Sequence, residues 1–144
     1  MATRSEGLPI GGLARRTGVK VPTIRYYEQI GLMPSAPRTA SNRRSYGSAD
    51  VDRLAFIRHA RALGFEIAEI AELLELAAHP ERPCADVDAI ARRHLAEIEG
   101  KIARLEALRG EVARMLDAGP HGSIGQCRVI EVLADHALCG NEGH

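Results

Sequence analysis

The residues of this 144-residue chain best suited to metal or redox chemistry are three cysteines, Cys84, Cys127 and Cys139, and a set of histidines near them. His121, His136 and His144 surround Cys127 and Cys139, and His94 follows Cys84 by ten residues. An odd number of thiols argues against a disulfide framework. Thiolates are soft ligands suited to Cu(I), Zn(II), Cd(II), Hg(II) and Pb(II), and imidazole can complete such a shell. The plainer alternative makes Cys84 a small buried apolar residue and the tail histidines solvated. His94 can reach the Cys84 end of the helix or sit in a helix seam. Cys127 and Cys139 also suit a thiol sensor of oxidants or electrophiles.

A second group carries chemistry for nucleic acid. Thr23, Arg25, Tyr26 and Tyr27 are followed by Arg38, Arg43, Arg44 and Tyr46. Arginine forks onto phosphate or guanine, and a tyrosine hydroxyl donates to phosphate. Taken singly, each Arg is a solvated charge and each Tyr a core residue. Arg25, Tyr26 and Tyr27 are consecutive, however, and on a helix they cannot all point inward. The charge distribution agrees. Residues 1–65 carry 11 Lys/Arg against 4 Asp/Glu, or +7, and residues 66–144 carry 8 against 15, or −7. A basic front half and an acidic back half fit a nucleic-acid-binding head on a solvated stalk. No paired carboxylates, Ser/His/Asp order or phosphate loop stands out, which argues against an enzyme.

Elements of matching type surround these residues. Residues 10–17 read as a short helix stopped by Gly18. Pro22 suits a first helical position, where its missing N–H costs nothing. The helix it opens runs through TIRYYEQI to Gly31, completing a helix-turn-helix pattern. From Leu32 to Tyr46 the helical period vanishes, and a two-stranded ribbon turning near Ala40-Ser41-Asn42 fits best. A recognition helix flanked by a basic wing accounts for the Arg and Tyr residues together. Ser48 can cap the next helix, which runs to Gly64, and another spans about Glu66 to Ala78. Residues 1–7 read as disordered, 118–125 as a loop, 127–138 as a short helix and 140–144 as a frayed tail.

Between Cys84 and Leu116 the apolar residues Val87, Ala91, Leu95, Ile98, Ile102, Leu105, Val112 and Leu116 recur at helical spacing. A helix of this length spans roughly 50 Å. So small a chain cannot cover it alone, so the stripe predicts a second copy and a homodimer. In an antiparallel pair, Cys84 of one rod would face the Cys127 loop of the other. The domain scheme is therefore a head with linking helices at 1–78, a linker and dimerisation helix at 79–117, and a sensor segment at 118–144. The fold class is mainly α, a winged helix-turn-helix head with a long antiparallel coiled-coil helix and a C-terminal metal-binding loop. Aromatics are only 3% of residues, which disfavours a β-sandwich. The start, MATRSEGLPIGG, lacks the apolar core of a signal peptide, and no apolar run approaches a membrane span. A cytoplasmic location follows.

TIRYYEQIGLMPSAPRTASNRRSY, followed by SADVDRLAFIRHARALGF, resembles the winged-helix head of MerR-type transcription regulators, and the likeness extends along nearly the whole chain. It implies DNA contacts by Arg25, Tyr27, Arg38, Tyr46 and Arg61. Some relatives carry an aromatic at the position of Arg43. The resemblance further implies a homodimer on a pseudo-palindromic promoter whose two elements are spaced too far apart for RNA polymerase. The effector-bound dimer bends and undertwists that DNA and brings the elements into phase, so the protein acts on polymerase indirectly.

The same resemblance bears on the thiols. A cysteine at the start of the dimer helix, matched by Cys84, marks sensors of divalent soft metals such as zinc, cadmium, lead or mercury, whereas the Cu(I) sensors have serine there. Cys127 matches the second loop cysteine. Gly119 stands where the first would align, leaving Cys139, His121 or His136 to complete the shell. The iron–sulfur branch uses four clustered loop cysteines, which this chain lacks. The expected function is a metal-responsive activator. The alternatives are a thiol-redox or electrophile sensor on the same head and an effector-independent architectural DNA binder.

Overall fold

The computed structural model describes residues 7–38, 44–119 and 122–138, and the backbone but not the side chain of His136. The expectations for residues 1–6, the wing turn at 40–42, Arg43, His121, Cys139 and the tail at 140–144 lie outside the described residues. The chain divides into two compact units, residues 1–90 and 91–144.

The first unit holds α1 (Ile10–Thr17), α2 (Val21–Gln29), α3 (Ser48–Ala62) and α4 (Ile67–Ala77). The turn between α1 and α2 is built locally. Gly18 takes the left-handed conformation at φ 76°, and its N–H reaches back to the Ala14 carbonyl. The Thr17 hydroxyl donates to the Leu13 carbonyl at 2.8 Å and accepts the Val19 N–H at 3.3 Å. Pro22 lies in the first turn of α2 as its chemistry requires. Beyond α2, Gly31 at φ 83° reverses the chain, and the Tyr27 carbonyl accepts the N–H of Leu32 and of Met33.

α1 packs on α2 and α3, and α3 on α4. Their shared core includes Leu13, Ile24, Tyr27, Met33, Tyr46, Leu54, Ile57 and Ile70, all buried. Tyr27 and Tyr46 supply its aromatic bulk.

Two details depart from expectation. Ser48 does not cap α3; it is the first helical residue, and Gly47 is the cap. The Asp50 carboxylate accepts the Gly47 N–H at 2.9 Å while the Gly47 carbonyl accepts the Asp50 N–H. The capping work thus falls to a carboxylate three residues into the helix, where the helix dipole favours negative charge. The wing, among the described residues, is a pair of antiparallel bridges rather than a regular ribbon. Arg38 pairs with Arg44, and Tyr46 pairs with Leu8, a residue N-terminal to α1. The segment ahead of α1 is therefore an extra edge of the wing.

α5 (Ala85–Asp117) begins in the first unit and continues through the second as one 33-residue helix. It starts one residue after Cys84 and contains the whole apolar stripe. In the second unit it is followed by a short 3₁₀ turn, Ile124–Gln126, then α6 (Arg128–Ala134) and a second 3₁₀ turn, His136–Leu138. Two faces of α5 have different fates. Glu111 and Met115 are buried, as is Val132 of α6, and these residues line one small cavity. The stripe itself stays open: Leu95, Ile102, Leu105, Val112 and Leu116 are each 51–65% exposed. At 100° per residue, Leu105 and Glu111 point about 120° apart, so covering one face leaves the other bare. No described helix is long and apolar enough to cross a membrane.

Candidate functional site

In the first unit the predicted basic residues converge. Arg25 comes from α2, and Arg38 and Arg44 from the two sides of the wing. All three line one open cavity of about 500 Å³, together with Pro9 and Ile10 at the start of α1. Like charges gather against their mutual repulsion only where the fold holds them there or an anion joins them. The bridge between Arg38 and Arg44 brings the two wing arginines together, and the helical phase of α2 turns Arg25 outward, about 160° from the buried Tyr27. A nest of guanidinium groups beside a helix N-terminus is chemically a phosphate receptor.

The three consecutive residues of α2 divide as a helix demands. Arg25 and Tyr26 are exposed, whereas Tyr27 is in the core. The Tyr26 and Tyr27 rings lie 6.1 Å apart at a 48° tilt. Thr23 is half-buried on the same helix. Arg61, near the end of α3, is exposed and donates to the Phe65 carbonyl at 2.9 Å. Arg38 is exposed and Arg44 half-buried.

Tyr46, expected among the DNA contacts, has its hydroxyl engaged within the head. The residue is 1% exposed, and its hydroxyl donates to Glu28 Oε2 at 2.6 Å. Burial first, and then the bonded carboxylate, push its phenol well above the ordinary tyrosine range. Arg44 approaches the other oxygen of the same carboxylate at 3.5 Å. Glu28 is the residue that the sequence did not single out. Its only signal was an acid among arginines in the last turn of α2, where the helix dipole disfavours negative charge.

The thiols are placed unit by unit. Cys84, in the first, is exposed and free of any disulfide. Its Sγ lies 3.8 Å from Asp88 Oδ1, and its carbonyl accepts the Asp88 N–H, opening α5. Cys127, in the second, is also free and is half-buried at the cap of α6. Its carbonyl accepts the Glu131 N–H at 3.1 Å. A Cβ on Gly119 would meet the Cβ of Arg128, the residue after Cys127, at 3.3 Å. The position aligned with a missing thiol thus packs on Arg128, at the start of α6. His94, another expected ligand, is buried, with Nδ1 3.6 Å from Glu97 Oε1.

The chain is similar to known proteins over most of its length. The chain is 42% identical over 125 residues to the transcriptional regulator HmrR of Sinorhizobium medicae, covering 87% of this chain and 85% of that protein. It is 40% identical over 126 residues to heavy metal-dependent transcription regulator 2 of Rhizobium meliloti, covering 88% and 86%. Among solved structures, the regulator PbrR691 of Ralstonia metallidurans in complex with lead(II) superposes with a TM-score of 0.76 at 32% identity, over 88% of this chain and 98% of that one. The family pattern described as "MerR HTH family regulatory protein" matches residues 8–77, and "MerR, DNA binding" matches residues 51–115. The protein belongs to the MerR family of DNA-binding, helix-turn-helix transcription regulators.

Proposed function

We propose that this protein is a heavy-metal-responsive transcription activator that binds promoter DNA as a homodimer and responds to a soft divalent ion. The observation that carries the DNA-reading part is the convergence of Arg25, Arg38 and Arg44, from a helix and both sides of a wing, on one cavity. Thr23, Arg25 and Tyr26 meet the groove from α2, and Arg38, Arg44 and Arg61 meet the backbone beside it, with Arg43 adding to the wing. Tyr27 and Tyr46 brace these elements from beneath. Residues 1–78 form the reading head, residues 79–117 the dimer helix, and residues 118–144 the sensor. The protein acts in the cytoplasm, where its DNA is.

The dimer rests on the open stripe of α5. The metal part rests on relatives described as heavy metal-dependent and on the thiols themselves. Both described thiols are outside any disulfide and at least partly accessible, which fits a soft ion. Cys84 and Cys127 are the proposed first ligands. Cys139, His121 and His136 supply the remainder, with zinc, cadmium, lead and mercury favoured over Cu(I). Bound metal contributes a strong link between ligands on different segments. The chain's own contribution is to join that link, through α5, to the pose of two reading heads, so that the promoter is bent and undertwisted for polymerase.

Calorimetric titration of the reduced full-length protein with Zn(II), Cd(II), Hg(II), Pb(II) and Cu(I), paired with in vitro transcription, tests this. At least one divalent ion should bind more tightly than micromolar and switch transcription on, and Cys84→Ser should abolish the switch. No tight binding, or a response intact in Cys84→Ser, overturns the metal assignment.

A further inference from the structure

We infer that Glu28 is a positioning residue that fixes the wing against the recognition helix and thereby sets how selectively the head reads DNA; the inference rests on the DNA-reading function above. Glu28 occupies the last turn of α2, and its side chain is only 7% exposed. Each carboxylate oxygen has a different wing partner. Oε2 accepts the Tyr46 hydroxyl at 2.6 Å, and Oε1 lies 3.5 Å from Arg44 Nη1. Tyr46 is held from behind by the paired bonds to Leu8, at 2.7 and 2.9 Å. The chain from α2 through Glu28 and Tyr46 to the segment before α1 is thus continuous.

Two arguments make this an orienting device rather than a simple stabiliser. A carboxylate at a helix C-terminus opposes the dipole. A nearly buried carboxylate is also a poor source of stability compared with an apolar side chain of similar size. What such a group provides is direction. Arg44 shares its cavity with Arg25 and Arg38, and their repulsion would drive it toward solvent. Glu28 is the anion that holds it against the cavity wall, leaving the fork of the guanidinium at a set distance from α2. A wing arginine held at a fixed distance accepts only DNA whose backbone runs at that distance from the bases read by α2. A loosely held one accepts phosphate anywhere.

The test uses metal-free, full-length protein and two duplexes: one selected by the wild type from a random-sequence pool, and a scrambled duplex of equal composition. Glu28→Gln keeps an oxygen that can accept from Tyr46 but loses the charge that holds Arg44. It should lower the ratio of specific to non-specific affinity about tenfold, with non-specific affinity equal or higher. The loss should be absent when Glu28→Gln is added to Arg44→Gln, because the two act through one contact. Glu28→Asp, which keeps the charge, should recover part of the ratio. If Glu28→Gln lowers folding yield, Tyr46→Phe replaces it, removing one hydroxyl, and should reduce the ratio several-fold. An unchanged ratio, equal weakening on both duplexes, or additivity with Arg44→Gln overturns the inference. Failure of the wild type to select any sequence would remove the DNA-reading function itself, a different result from selective binding that the variant leaves unmoved.

Discussion

Replacing Leu105 by Gln should take the dimer apart without unfolding the chain. Leu105 is 65% exposed, the most open of the stripe residues on α5. Burying a leucine side chain contributes about 1.5–3 kcal/mol. With roughly two-thirds of that surface still to be covered, each protomer gains about 1–2 kcal/mol at this position on pairing. A symmetric dimer contains the residue twice, so the substitution costs about 2–4 kcal/mol of association. That is roughly a 30- to 700-fold weaker dimer. Gln keeps the helix, being a good helix former of similar length. The control is Ala103→Gln, at an exposed position about 160° around α5 from Leu105. Sedimentation equilibrium over a dilution series measures the dimer constant, and circular dichroism reports the helix. A dimer constant within twofold of wild type in Leu105→Gln, or an equal loss in Ala103→Gln, would refute the assignment of this face to a second copy.

Three further outcomes follow from single side chains. Gly18→Ala places an L-residue at φ 76° and a Cβ 2.8 Å from the Arg58 guanidinium, which donates to the Thr17 carbonyl at 3.1 Å. It should cost about 1–2 kcal/mol in urea unfolding, and no loss would contradict the left-handed cap. The raised Tyr46 phenol holds its proton in the folded state at pH values where the unfolded chain has released it. Its contribution to stability is therefore complete below about pH 10 and is lost as pH rises above that value. Alkaline unfolding curves of Tyr46→Phe should lack this decline, and identical curves would refute it. Gly119→Cys adds a thiol at the start of α6, where its Cβ would lie 3.3 Å from Arg128 Cβ, so the backbone there must give by a few tenths of an ångström. It should tighten binding of a soft divalent ion by at least about tenfold in competition with a chelator, and unchanged affinity would place Gly119 outside the ligand shell.

Much of the local structure was legible because it depends on near neighbours. Gly18, Pro22 and Gly31 mark the ends of α1 and α2 through backbone conformations that few residues adopt. The length of α5 follows from an uninterrupted period without proline, and observed bounds of Ala85–Asp117 lie one residue beyond the expected Cys84–Leu116. Ser48 illustrates where the rule competes: serine is a good cap, but Asp50 closes the turn from inside the helix and moves the cap to Gly47. Thr23 and Arg25 are placed by helical phase, which sequence gives directly. The fate of the tyrosines is not, since Tyr26 and Tyr27 differ by one position and a hydroxyl's partner is not encoded in its neighbours.

By itself the sequence determined the helices, the basic head and acidic back half, the bare stripe of α5 and the kind of metal its thiols suit, because periodicity, charge and ligand softness are properties of residue types and spacing. Tertiary structure decided the rest of the head. It drew Arg25, Arg38 and Arg44 into one cavity, paired Leu8 with Tyr46, and gave Glu28 two wing partners. Those contacts join residues from 6 to 38 positions apart, and their free energy depends on burial and mutual orientation, which exist only once the chain has closed on its core.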